Sequence, residues 1–307
     1  MRRRLGVIGV PTSAGAFAPG QEQAPQALRD AGLVDAMRSG LDVRDHGDRE
    51  IWRWRPDREN RRAQNLASVV DIVRDTTRRV IGSIADGEVT LVLGGDCTVG
   101  IGTVAAHVDT GERVGLVYFD AHADLNVPDS VPEGALDWMG MAHMVGEPGA
   151  DSELVGAGTR APLLDADDVL FFGWDPEQST AFEREVIDRR GISVMAAAEV
   201  AAEPDAAATR ARELMEDRCD RLLVHFDVDV IDFTDMPLSE NWGRNQGLPY
   251  EAAMRALDSL VASPRLAALT VTELNPDHAE DGRHGVEPFA SALAKSLVGA
   301  LAGEPAA

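Results

Sequence analysis

The sequence has only two cysteines, Cys97 and Cys219, far apart in a chain of 307 residues. Two cysteines build no disulfide framework. No window approaches the roughly 18 consecutive apolar residues of a membrane span. The start, MRRRLGVIGV, is basic and then apolar, but Gly and Pro break it too early for a signal peptide. Positive charge is scarce: 29 Lys and Arg stand against 52 Asp and Glu, a net charge of −23. Phosphate backbones and anionic lipids both require a basic face, so no nucleic-acid or membrane partner is expected. The basic-aromatic stretch IWRWRPDRENRR reads, in so acidic a chain, as a solvated helix start or a subunit contact. There is no G-x-G-x-x-G turn for a dinucleotide. Together these absences predict a soluble cytoplasmic protein.

What remains is 44% hydrophobic, enough for a sizeable core. Short apolar runs end abruptly in polar clusters at 5–10, 89–95, 114–120, 168–174, 192–197, 221–229 and 266–276. Most are continuous rather than alternating, as buried parallel strands are. Helical periodicity lies between them, at 60–86, 177–190, 203–218 and 249–263, with a short helix at 25–33 ending at Gly32. Strands alternating with helices predict an α/β fold of βαβ units around one open parallel sheet. No repeat or linker divides 1–307, so one domain is expected, with 302–307 as a frayed tail.

Ligands of such sheets bind beyond the carboxyl ends of the strands. One run there gives Asp120-Ala-His122-Ala-Asp124; another gives Asp227-Val-Asp229, then Asp232. Residues two apart on an extended chain share a face. If the chain stays extended, these side chains converge on one point. Gathered carboxylates repel, so burial would raise their pKa values or demand cations. A pair of divalent ions resolves the conflict, and carboxylates with imidazole suit Mn²⁺ and, less well, Zn²⁺, Fe²⁺, Ni²⁺ or Co²⁺.

GGDCTVG, FDAHADLN, HFDVDVID and TELNP, in this order, resemble the ureohydrolase family of arginase, agmatinase and formiminoglutamase. The resemblance begins at GVPTSAGAFAPGQEQAPQALRDAGL and covers most of the chain. It implies an open, mostly parallel α/β sheet with helices on both faces in three layers, a di-manganese site, hydrolysis of a guanidino or amidino C–N bond by a metal-bridging hydroxide, and a homo-oligomer, trimeric or hexameric. Carried across, Cys97, Asp120, His122, Asp124, Asp227 and Asp229 are the implied metal ligands. Asp120, Asp124 and Asp227 match bridging or paired positions, and Asp232 matches an acid behind the ligands. Glu273 matches the carboxylate that receives the substrate's guanidinium, a planar cation suited to a bidentate pair. Asp124 would accept a hydrogen bond from the attacking hydroxide.

The match departs at Cys97, where the family has histidine. A thiolate can ligate, and a softer donor moves preference from Mn²⁺ towards Zn²⁺, Fe²⁺ or Ni²⁺. A buried thiol with one tightly held ion is the alternative. A nucleophilic cysteine fits less well, since no base is evident beside it. Asn126 is retained, but Asp137 stands where arginases carry their active-site histidine, so that Asp137 or a metal-bridged acid must give the leaving amine its proton, or the leaving group must be less basic. Glu133 stands where a small hydroxyl contact is usual, and Phe233 replaces a proline. His143 reads as a packing residue of the next helix. Trp138, Trp174 and Trp242 follow strands and could face a cation or simply pack. Asn126, Glu133, Trp138 and Glu273 are therefore the expected substrate contacts, and Glu133, Asp137 and Glu240 would favour a basic substrate tail over an α-carboxylate. An N-hydroxyarginine amidinohydrolase is one sub-class. A non-catalytic metal-binding regulator or scaffold is the rival of a different kind. A deacetylase-type site is disfavoured, because no adjacent histidines occur.

Overall fold

The computed structural model describes residues 3–279 and 285–302. Apart from Ala302, the expected frayed tail lies outside the described residues. Eight strands form one sheet: β1 (Arg4–Gly9), β2 (Val43–Asp48), β3 (Glu88–Leu93), β4 (Val114–Phe119), β5 (Val169–Trp174), β6 (Ser193–Ala196), β7 (Arg221–Asp227) and β8 (Leu266–Thr272). The order is β2-β1-β3-β8-β7-β4-β5-β6, and every pairing is parallel. The expected open α/β sheet is thus present, and each of the seven apolar runs overlaps a strand.

β3, β4 and β8 are buried from end to end. Alternate residues feed two separate cores. Leu91, Val117 and Phe119 pack on one face, while Val92, Leu116 and Tyr118 pack on the other. Burial on both sides is why these strands read as unbroken apolar runs. β2 has no such run: VRDHGD is an edge strand of half-exposed polar residues. Its acids are neutralised by Arg29, which lies 2.9 Å from Asp45 and 2.6 Å from Asp48. Ion pairing across to a helix, rather than hydropathy, places this strand, so its sequence carries no apolar signal.

Helices Leu66–Ala85, Ala181–Arg190, Pro204–Arg218 and Tyr250–Val261 lie within the expected segments. Gly32 ends the helix Ala24–Asp30 with φ +81° but also starts another at once, Leu33–Arg38. Helix Val99–Val108 shows no amphipathic stripe because it is buried nearly all round, packed against Leu66–Ala85 and the sheet. Among the described residues no helix is long and apolar enough to cross a membrane. The four central strands, β3, β8, β7 and β4, are adjacent, and their carboxyl ends open together on one edge.

Candidate metal centre

The loops after β4 and β7 share one local device. The Asp120 carboxylate accepts the His122 backbone N–H at 2.7 Å, and the Asp227 carboxylate accepts that of Asp229 at 2.7 Å. An aspartate bonding the amide two residues on bends the chain. The chain therefore does not stay extended, as the spacing argument assumed. Asx turns fold His122 and Asp229 back over the sheet edge, and Asp124 follows in the left-handed region at φ +50°. Convergence survives by a different route. His122 Nδ1 lies 3.2 Å from Asp120 Oδ1 and 3.3 Å from Asp229 Oδ2. The turn at Asp120 engages Oδ1 and leaves Oδ2 for a further ligand, while Asp227 keeps Oδ2 for Cys97 Sγ. Among the described residues Asp120 Oδ2 and Asp229 Oδ1 are buried without a hydrogen-bond partner.

The loops after β3 and β8 close the other side. Gly95 lies against the backbone of Thr12, where a Cβ would stand 1.7 Å from the Thr12 carbonyl oxygen. Asp96 ties the turn to the loop after β1 by accepting Gly15 N at 3.0 Å. Cys97 then points its Sγ to within 2.9 Å of Asp227 Oδ2. Glu273, held at φ +62° directly after β8, accepts the Cys97 backbone N–H at 2.8 Å and Gln21 Nε2 at 3.1 Å. Non-glycine residues pay for positive φ, and such strain gathers at functional sites. Glu273 and Asp124 both face the centre.

Three donor groupings result, each with its ligand atoms within 4.8 Å of one another: Asp120–His122–Asp229, Cys97–Asp120–Asp124 and Cys97–Asp227–Glu273. Glu273, expected only as a guanidinium receiver, thus also stands at ligand distance from Cys97 and Asp227. Electrostatics shows what the arrangement costs without cations. Burial, then neighbouring acids, pushes Asp124, Asp227 and Glu273 well above the usual carboxylate range. Burial and then Asp229 raise Asp120 to about 6. Burial also raises Asp229, but the His122 charge beside it outweighs this and holds Asp229 low. Burial, with the same acids, pushes the Cys97 thiol up. Unpartnered buried oxygens beside carboxylates that resist ionising fit a pair of divalent ions, with donors of the right types.

The arginase family model matches residues 3–299. The chain belongs to the arginase family. It is 28% identical to an arginase of Bacillus caldovelox over 302 residues, covering 96% of this chain and 98% of that one. The native structure of the Bacillus caldovelox enzyme superposes with a TM-score of 0.84 at 25% identity, covering 99% of both chains. A variant of a formiminoglutamase of Trypanosoma cruzi, with Mn²⁺, shares the fold at TM-score 0.74 and 19% identity, with 98% of this chain and 94% of that one covered. The chain is thus an arginase-family ureohydrolase, a hydrolase of linear amidines.

In this arginase-family chain a cavity of about 370 Å³ opens over the centre. Cys97, His122, Asp124, Asp227, Asp229 and Glu273 form its floor; Asn126, Asp137 and Trp138 line its wall. Asn126 is tied in, its Oδ1 accepting Ser130 Oγ at 3.2 Å and Thr180 Oγ1 at 3.0 Å. Asp137 is buried without a cationic partner among the described residues, and burial, then Glu273 and Asp96, raises it well above the carboxylate range. Glu133 corrects the expectation: it is exposed, outside the cavity lining, and offers only its backbone carbonyl, to Gln64. Trp174 is also outside, its indole N–H bonded to Ser179. Trp138 and Trp242 are on the rim with Phe17. Asp232 organises the loop at 232–247 by accepting the backbone N–H groups of Thr234, Gln246 and Gly247. His143 is a buried packing residue, its Nδ1 2.6 Å from the Met139 carbonyl.

Several functional neighbours carried no motif. Glu183 lines the cavity while accepting the N–H groups of Leu125 and Thr180. Asn241 approaches His122 Nε2 at 3.3 Å from a distant loop. Two others were available to the two-residue rule: Tyr118 and His225 precede Asp120 and Asp227 by two on their strands. Tyr118 donates its hydroxyl hydrogen to Asp124, and its ring stacks on His225 with centroids 4.4 Å apart.

Proposed function

We propose that this arginase-family chain hydrolyses the C–N bond of a guanidino compound whose tail is basic or neutral rather than an α-carboxylate. One observation carries the substrate reading. Among the described residues, those lining the cavity include Asp137, Glu183, Glu240 and Glu273 beyond the ligand acids, and no Lys or Arg. A carboxylate-bearing tail would find no counter-charge there, while a cation finds several, together with the faces of Trp138 and Trp242.

Cys97, Asp120, His122, Asp124, Asp227 and Asp229 would hold two divalent ions, Mn²⁺ or, on account of Cys97, Zn²⁺, Fe²⁺ or Ni²⁺. Such ions supply Lewis acidity and make water nucleophilic at neutral pH. The protein's own groups do the rest. Glu273, fixed by Gln21 and the Cys97 amide, orients the planar cation. Tyr118 holds the Asp124 carboxylate in one orientation. Asp137, whose carboxyl burial and then Glu273 and Asp96 push well above the usual carboxylate range, is the group assigned to give a proton to the leaving amine. An N-hydroxyguanidine, whose leaving group is less basic, asks less of Asp137 and remains a sub-class of the same reading.

The test compares turnover of arginine and of 4-guanidinobutylamine, which differ only in the α-carboxylate, with N-hydroxyarginine as a third substrate. The expected result is a kcat/KM at least about tenfold higher for the amine, the equivalent of one lost ion pair. Preference for arginine refutes the tail assignment. Absence of product from any guanidine, with metal bound, leaves the scaffold reading in its place.

A further inference from the structure

Beneath the floor of the centre, Cys97 Sγ has a second set of neighbours that no ligand assignment uses. His225 Nε2 lies 3.2 Å from the sulfur, and Thr272 Oγ1 also lies 3.2 Å from it. The same Nε2 is 3.1 Å from Thr272 Oγ1, so the three groups form a closed triangle. The imidazole is buried. One face stacks on Tyr118 at an interplanar angle of 12°. At its far edge Gly100 leaves just enough room: a Cβ there would stand 2.7 Å from His225 Nδ1. Nδ1 itself is buried with no hydrogen-bond partner among the described residues.

That orphan fixes the ring's hydrogen. A buried N–H without an acceptor is rarer and costlier than a buried lone pair without a donor. The hydrogen therefore belongs on Nε2, which donates towards the sulfur and the Thr272 oxygen. Sγ also meets Asp227 Oδ2 at 2.9 Å, to which the thiol donates. The sulfur thus accepts from the imidazole and gives its own hydrogen to an acid of the centre.

We propose that His225 is a positioning residue that presents Cys97 as a thiolate ligand, making one of the two cation positions selective for Zn²⁺, Co²⁺, Fe²⁺ or Ni²⁺ over Mn²⁺. The proposal rests on the metal-centre reading above. Its chemistry is that of an imidazole behind a metal ligand, which orients the donor and tunes its affinity. The thiol proton passes to water as the cation enters. The two positions are then unlike. Asp120, His122 and Asp229 offer oxygen and nitrogen, and the Cys97 side adds sulfur, which softer ions prefer.

Cobalt reports on this directly. The chelator-stripped full chain is titrated with Co²⁺ and, separately, with Mn²⁺. Absorbance is followed in the near ultraviolet, where thiolate-to-cobalt charge transfer appears, and bound metal is counted by mass spectrometry. The wild type should show the band, and Mn²⁺ should fill the two positions with clearly unequal affinity. Cys97→Ser should abolish the band. His225→Phe keeps an aromatic ring against Tyr118 while removing Nε2; it should shift or weaken the band and lower Co²⁺ affinity about 10- to 100-fold, with the melting temperature of the metal-free protein measured beside it because the phenyl ring is the larger. Cobalt at full occupancy without the band overturns the proposal and leaves the metal centre standing. A His225→Phe protein with wild-type band and affinity overturns the role of His225. Failure to bind any divalent ion refutes the metal centre itself, and this proposal with it.

Discussion

Removing the metal ions should make the protein's stability fall as pH rises, and refilling the site should cancel that fall. The reasoning starts from Asp120. In the unfolded chain its carboxyl has the ordinary value of 3.8; in the folded, metal-free protein burial and Asp229 raise it to about 6. Below pH 3.8 both states hold the proton and there is no penalty. Between those values the unfolded state gives up the proton first, so the folded state loses ground. Above about pH 6 the loss is complete. At about 1.4 kcal/mol per pH unit, the interval comes to about 3 kcal/mol. In a chain of this size that is on the order of 5 °C in Tm. Asp124, Asp227 and Glu273 are raised as well and add to the effect in the same direction. Other titrating groups change with pH too, so the quantity to read is the difference in Tm between metal-loaded and chelator-stripped protein. Measured by circular dichroism from about pH 4 to 8, this difference should be small at the acid end and reach about 5 °C or more near neutrality. A difference that is absent, or the same at every pH, would refute the claim that repulsion among these acids is relieved by cations.

Replacing Glu273 with Gln keeps the shape but removes the charge that pairs with a guanidinium; kcat/KM should fall about 100-fold while metal content, measured by mass spectrometry, stays. Asp137→Asn should lower kcat about 10- to 100-fold with little change in KM, and should remove the alkaline limb of the kcat–pH profile, where the raised carboxyl loses its proton. Gly95→Ala forces a Cβ into the Thr12 carbonyl and should cost about 3 kcal/mol or more, read as a lower denaturation midpoint, with loss of bound metal as the Cys97 turn shifts. Tyr118→Phe frees the Asp124 carboxylate and should raise the metal Kd about 10-fold with the fold intact, as isothermal titration would show.

The sequence alone determined the layered α/β sheet, because strands buried on both faces must be continuously apolar and their ends show against the polar loops. It also determined the candidate ligand set, since aspartates and a histidine clustered after two such strands have few other uses. β2 escaped because a polar edge strand owes its place to Arg29 rather than to burial. The helix Val99–Val108 escaped because a helix buried all round has no stripe. Only the tertiary structure decided which acids face the cavity: Glu133 and Asp137 lie about one helical turn apart in sequence, yet one meets solvent and the other the cavity. It also decided how Asp120, His122, Asp227 and Asp229 converge. Spacing predicts a shared face only on a straight strand, and here Asx turns bend both loops. The partners of Cys97 were hidden for the same reason. His225 and Thr272 belong to strands far along the chain, and their distance from the sulfur is set by sheet order, which local sequence does not encode.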